Sequence, residues 1–171
     1  MLNPQFSNED QNNISNASDR VVVVAARIAL DEYLKYSAYI CQPDRAFRDC
    51  VRMAFYTQNK IDRHIPKILG QIEAISRDEI ERSTDLSDSD RARLQTLRNT
   101  MDSTRREDWG KRQYKIVFLT AADSPDTLVL PADIVNDQTA GSGRGAPFTR
   151  GQRYVSLSRL EKGPKTTSEL V

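Results

Sequence analysis

The residues most able to do chemistry here are arginines, and they fall in two groups. Arg45, Arg48 and Arg52 recur at spacings of three and four, which would align them on one face of a helix. Arg144, Arg150, Arg153 and Arg159 lie in or just beyond a long polar segment rich in Gly, Thr and Ser. A guanidinium grips a phosphate or carboxylate through two parallel hydrogen bonds, so either group could hold an anionic partner. From Gln138 to Lys165 these four arginines, Lys162 and Lys165 face only Glu161, a local charge of +5. A basic loop containing glycines can follow a phosphate backbone without a fixed geometry of its own, and Phe148 and Tyr154 are placed among the charges where they could stack on bases. The same segment would equally dock on an acidic patch of a neighbouring subunit. The plainer alternative is a solvated loop, just as the Arg45 stripe, diluted by Asp44 and Asp49, fits the wet side of an amphipathic helix.

Other chemistry finds little support. Gly141-Ser-Gly-Arg-Gly has the glycines of a phosphate loop, but no Gly-Lys-Ser/Thr follows and no helical pattern begins there. His64 is the sole histidine, which excludes a multi-histidine metal site, and a thiol–imidazole pair with Cys41 has nothing in the sequence to assemble it. Cys41 and Cys50 read as buried free thiols. Glu73, Asp78, Glu79 and Glu81 read as a solvated helix face, and Tyr33, Tyr36, Tyr39 and Tyr56 as core or interface. No catalytic residue, metal or cofactor is therefore assigned.

Length and composition narrow the class. The chain has 171 residues, 38% hydrophobic and 29% charged, with a net charge of +1. Those values suit a soluble globular protein, and the net charge does not advertise nucleic acid or an anionic membrane. Two cysteines are too few for a disulfide scaffold, and no signal peptide is read at the N-terminus, so the expected location is cytoplasmic, or the virion if the source is viral.

The elements that would position these residues are read mainly as helices. Residues 1–17 form a flexible N-terminal arm, with Phe6 and Ile14 as anchors. Ser18 to Ile40 is the most apolar stretch, and Val21, Val22, Ala25, Ile28, Ala29 and Tyr33 recur at helical spacing. A central helix is predicted there, against a rival reading of the four valines as a buried strand. A second helix is expected from Pro43 to about Ile65, a third from Lys67 to Arg82 with a close contact at Gly70, and a fourth from Ser87 to Arg106. Beyond Trp109-Gly110 the period shortens to two, giving strands over Gln113–Thr120, Thr127–Leu130 and Tyr154–Leu160.

The resulting expectation is a mainly α protein: a helical domain over 18–108, in effect a four-helix bundle, then a small antiparallel β appendage over 109–160. That appendage would carry the long basic loop 136–152, and residues 161–171 would be a free tail. The expected function is a non-enzymatic structural or assembly subunit, a homo-oligomer or part of a larger assembly of the kind that builds viral coats. It would associate through its arms. The alternative is a nucleic-acid-binding protein using the basic segment 138–165, with RNA or DNA as partner; no membrane partner is expected.

Overall fold

The computed structural model describes residues 14–82, 84, 86–101, 112–149 and 152–171. Most of the proposed N-terminal arm (residues 1–13), Arg105, Arg106 and Arg150 lie outside them. The described chain is mostly β, which overturns the four-helix body. Its strands are β1 (Arg20–Ala25), β2 (Ala38–Cys41), β3 (Arg52–Thr57), β4 (Lys60–Ile61), β5 (His64–Ile65), β6 (Ile68–Ile75), β7 (Tyr114–Leu119), β8 (Leu128–Val129), β9 (Ile134–Val135) and β10 (Arg153–Ser156). Four short helices accompany them: α1 (Ala29–Tyr36), α2 (Arg77–Arg82), α3 (Asp88–Met101) and α4 (Leu157–Leu160).

The predicted central helix is in fact strand, helix and strand. Val21 to Val24 are each at most 1% exposed. β1 runs parallel to β3 and antiparallel to β10 in a five-stranded sheet of order β10-β1-β3-β4-β9. Val21 and Val23 face one core while Val22 and Val24 face another. A strand covered on both faces loses its polar alternation, and that is why this run imitated a buried helix. β-branched side chains then favour the strand locally. The chain turns at Arg27 and Ile28, makes the two turns of α1, and leaves through Ser37 at φ 55°, whose N–H donates to the Tyr33 carbonyl.

The second predicted helix is also absent. Residues 42–51 form a loop, and β3 follows with Met53 and Phe55 on one face and Ala54 and Tyr56 on the other. β3 and β4 are joined by Gln58 and Asn59, both at positive φ, as a two-residue I′-type hairpin requires. The third predicted helix divides at Ser76 into β6 and α2. Ser76 caps α2 reciprocally with Glu79, each backbone N–H donating to the other side chain. Gly70, expected to sit at a close helix contact, faces open space beside a register shift in β6. Only the fourth helix keeps its type: α3 is capped by Ser87, whose hydroxyl oxygen accepts from the Asp90 N–H at 3.1 Å.

A second sheet, β2-β7-β6, is antiparallel throughout. Its two faces divide cleanly: Tyr39, Cys41, Val117 and Leu119 pack toward the first sheet, while Ala38, Ile40, Ile116 and Phe118 pack toward α2 and α3. The layers therefore run from a C-terminal cover through the five-stranded sheet and a shared core that includes Tyr33 of α1. The three-stranded sheet and the α2–α3 pair complete the stack.

The C-terminal cover corrects the picture of a polar arm and a free tail. Phe148, Leu160 and Leu170 are buried in the first core. Asp19 accepts from the Ser156 hydroxyl at 2.6 Å and the Ser158 N–H at 2.8 Å, binding the two ends of the described chain together. Leu157–Leu160, read as strand, is the short helix α4.

Asp137 anchors the last turn, Thr167–Leu170, accepting from the Ser168 hydroxyl and N–H and the Thr167 hydroxyl. These bonds, the Ser168 hydroxyl first, hold the Asp137 carboxyl down to about 2 from an ordinary value of 3.8. A carboxyl depressed by folding stabilises above its unfolded value and ceases to do so as pH falls through its folded value. Acid titration between about pH 4 and pH 2 should therefore release the Thr167–Leu170 turn. Lower protection of the Ser168 amide, relative to its intrinsic exchange rate at each pH, is the expected result across that window, and Asp137→Asn should abolish the window.

A candidate anion-binding cavity and its arginines

The register of the second sheet builds the most chemically pointed feature of the surface. Cys41 lies opposite Lys115 in the β2–β7 ladder, so the residues just after β2 sit beside those just before β7. Arg45, four residues past β2, and Arg112, two before β7, consequently line the same cavity. The turn leaving β1 adds Arg27. The three arginines line one open cavity of about 760 Å³, with Asp44 as its only acid among the described residues. The size falls within the usual range for small-molecule sites. Arg27, Ile28 and Ala29 form one wall, and Ile28 offers no capping side chain to the first turn of α1. Asp31 and Glu32 in the first turn of α1 offset the positive end of that helix, so the field of the cavity comes from the guanidinium groups.

Arg45 is held in place. Its guanidinium donates to the Tyr39 hydroxyl at 2.7 Å and lies 5.8 Å from the Tyr39 ring and 5.5 Å from that of Phe47. Beneath it Lys115, only 3% exposed, donates from Nζ to the Arg45 carbonyl at 3.2 Å and pairs with Glu73 at 3.0 Å. An arginine so braced loses little rotamer freedom when it binds an anion.

The other residues singled out by the sequence are dispersed. Arg48 does not share a helix face with Arg45; its backbone N–H donates to the Tyr154 hydroxyl at 2.8 Å, and its guanidinium lies 5.9 Å from that ring. Gln152 donates to both the Ala46 carbonyl and the Tyr154 hydroxyl, so loop 42–51 and β10 form one surface. Burial raises the pKa of Tyr154 above its ordinary value. Arg52 is structural, donating to the carbonyls of Ile65 and Asp126. Arg153 lies 4.6 Å from the Phe148 ring, and Phe148 is fully buried rather than available to bases. Arg144 is exposed at the tip of a small loop closed by the Thr139–Gly145 bridge. Arg159 shares a smaller basic depression of about 490 Å³ with Lys162, Lys165 and Glu169.

Cys41 and His64 are not brought together in one site: Cys41 lines the arginine cavity, and His64 on β5 sits 2.8 Å from Asp62. Burial pushes the Cys50 thiol up to about 11, so it is a poor nucleophile at neutral pH. Sequence reasoning missed Arg27 and Arg112 as site residues. The one available signal was that Arg27 interrupts an otherwise apolar run. Among the described residues no helix is long and apolar enough to cross a membrane. Comparison with protein-family models, with curated proteins and with solved structures found no match.

Proposed function

We propose that the chain is a non-enzymatic nucleic-acid-binding protein that lays a single strand along its arginine face. The path would run from the Arg27–Arg45–Arg112 cavity over loop 42–51 to Tyr154. The observation that carries this reading is the convergence of three arginines, distant in sequence, on one cavity whose described lining has a single acid. Tyr39 and Phe47 brace it, and half-buried Tyr154 continues the surface with an aromatic ring flanked by Arg48. A basic groove with interleaved aromatic rings is how strands are held without base-specific contacts.

Neutralising three phosphate charges along this path would give a log–log salt slope of about −2 for a single strand. Sedimentation of the full chain with a labelled 12-mer at stepped salt concentrations measures it. Replacing Arg27 and Arg112 together by alanine should weaken binding about tenfold or more and flatten the slope by about 1.4. Absence of binding at low salt, or binding indifferent to salt and to both substitutions, would sink the reading.

Assembly is the second reading, and one observation favours it. β6 spans eight residues at the edge of its sheet, with Leu69 56% exposed there. Among the described residues no further strand pairs with its outer side beyond the Ile68 N–H that donates to the Val51 carbonyl. Such an edge can pair with another chain. The C-terminal residues expected to act as an assembly arm instead pack on their own subunit. The mass of the protein alone, read in the same sedimentation run, separates a monomer from an oligomer.

A further inference from the structure

We infer that the Arg27–Arg45–Arg112 cavity is a site for a phosphate monoester, the end group of a strand rather than a phosphodiester within it. This rests on the nucleic-acid reading for its biological source but not for its chemistry. Three arginines against Asp44 leave the described lining with a net charge of +2. A phosphodiester carries one negative charge, whereas a phosphate monoester carries between one and a half and two at neutral pH, with three oxygens free to accept hydrogen bonds. The charge of the cavity thus matches the monoester. Guanidinium forks suit that group particularly well, since each can engage two phosphate oxygens at once.

The cavity is set at the ends of elements. The end of β1 and the start of α1 form one side, and the end of β2 and the approach to β7 form the other. Its volume of about 760 Å³ has room for a terminal nucleotide as well as its phosphate. Arg45, fixed through Tyr39 and Lys115, would set the position of the phosphate. Arg27 and Arg112, both exposed, would close on it from the rim.

The test compares three labelled 12-mers of one sequence: 5′-phosphorylated, 3′-phosphorylated and with hydroxyl at both ends. Fluorescence anisotropy should show at least one phosphorylated form binding about tenfold tighter than the hydroxyl form, with that preference lost in Arg27→Ala. Arg27 is exposed, so an unchanged melting temperature verifies that the variant is folded. Equal affinity for all three oligonucleotides overturns the monoester site while leaving the nucleic-acid reading intact. If no oligonucleotide binds, adenosine monophosphate decides. A rise in melting temperature for the native chain but not for Arg27→Ala keeps the site and discards the nucleic-acid reading. No rise in either discards both.

Discussion

Replacing Phe148 by alanine is expected to destabilise the protein by about 3–5 kcal/mol, the usual cost of removing a buried phenyl ring without collapse of the space around it. Phe148 is fully buried in the first core with Val21, Ala54, Ile61 and Leu160, its ring 6.2 Å from that of Tyr56. It is the main apolar anchor of residues 136–149, which are otherwise polar, so its loss would also free that segment. A change of this size in a chain of 171 residues should lower the melting temperature by roughly 6–20 °C. Urea unfolding of the variant, read as a shift in midpoint, measures it. A base-stacking role predicts the opposite pattern, in which stability is unchanged and oligonucleotide binding is weakened. That outcome would remove Phe148 from the core and return the 136–149 segment to the solvent.

The second large effect is expected at Asn136, a buried amide that holds three segments together. Its Nδ2 donates to the Ala146 carbonyl at 2.6 Å, to Asn59 Oδ1 at 3.0 Å and to the Tyr56 hydroxyl at 3.1 Å. Its Oδ1 accepts from the Thr167 hydroxyl at 2.9 Å and the Gln138 N–H at 3.3 Å. Asn136→Ala would strand several of these partners away from water, and an unsatisfied buried group costs about 1–3 kcal/mol. A loss of about 2–5 kcal/mol is therefore expected, with Asn136→Asp at the upper end because it exchanges donors for a buried charge. Thr167 is fully buried, so limited proteolysis of Asn136→Ala should reach the C-terminal turn sooner than in the native chain. A variant with native stability and native protection there would show that the network is replaceable by solvent.

Both sites belong to the half of the chain that looked most like a solvated loop. Residues 136–152 carry few apolar side chains, and nothing local in them marks Phe148 as a core residue or Asn136 as a hub. Their roles arise from β9 and β10 taking opposite edges of the five-stranded sheet. The segment between them must cross its face, and the first core lies on that face. The Gly-containing tip is closed by its own backbone bonds, with Gly143 at φ 75°. The glycines serve that tip, while Phe148 holds the described part of the segment against the core.

Some boundaries were readable locally and were overlooked. Ser76-Arg-Asp-Glu79 is a capping box, which places the start of a helix at Arg77 and not at Lys67. The stretch Ile68–Ile75 before it is then short enough for a strand, whose alternate residues need not repeat every third or fourth position. Met53 to Tyr56 offered four consecutive nonpolar residues, the pattern of a strand buried on both faces, yet Val51, Ala54 and Phe55 also fit a helical stripe. Local spacing alone could not separate those readings. The pairing of β3 with β1 does, by supplying the backbone partners a strand requires.

What the sequence determined by itself was a chain with enough apolar residues to bury a core, strands over Tyr114–Leu119 and Leu128–Val129, and a helix begun by Ser87. In each case a short-range pattern and the adopted structure agree. Tertiary structure alone decided that the valine run is a central strand, since only cover on both faces rewards a wholly apolar ribbon. It also decided where positive charge is concentrated. Arg27 and Arg45 lie 18 residues apart, Arg112 a further 67 along the chain, and the three share no local motif. The antiparallel register of β2 with β7 and the turn out of β1 bring them to one cavity, because pairing between strands sets neighbours in space irrespective of their distance along the chain.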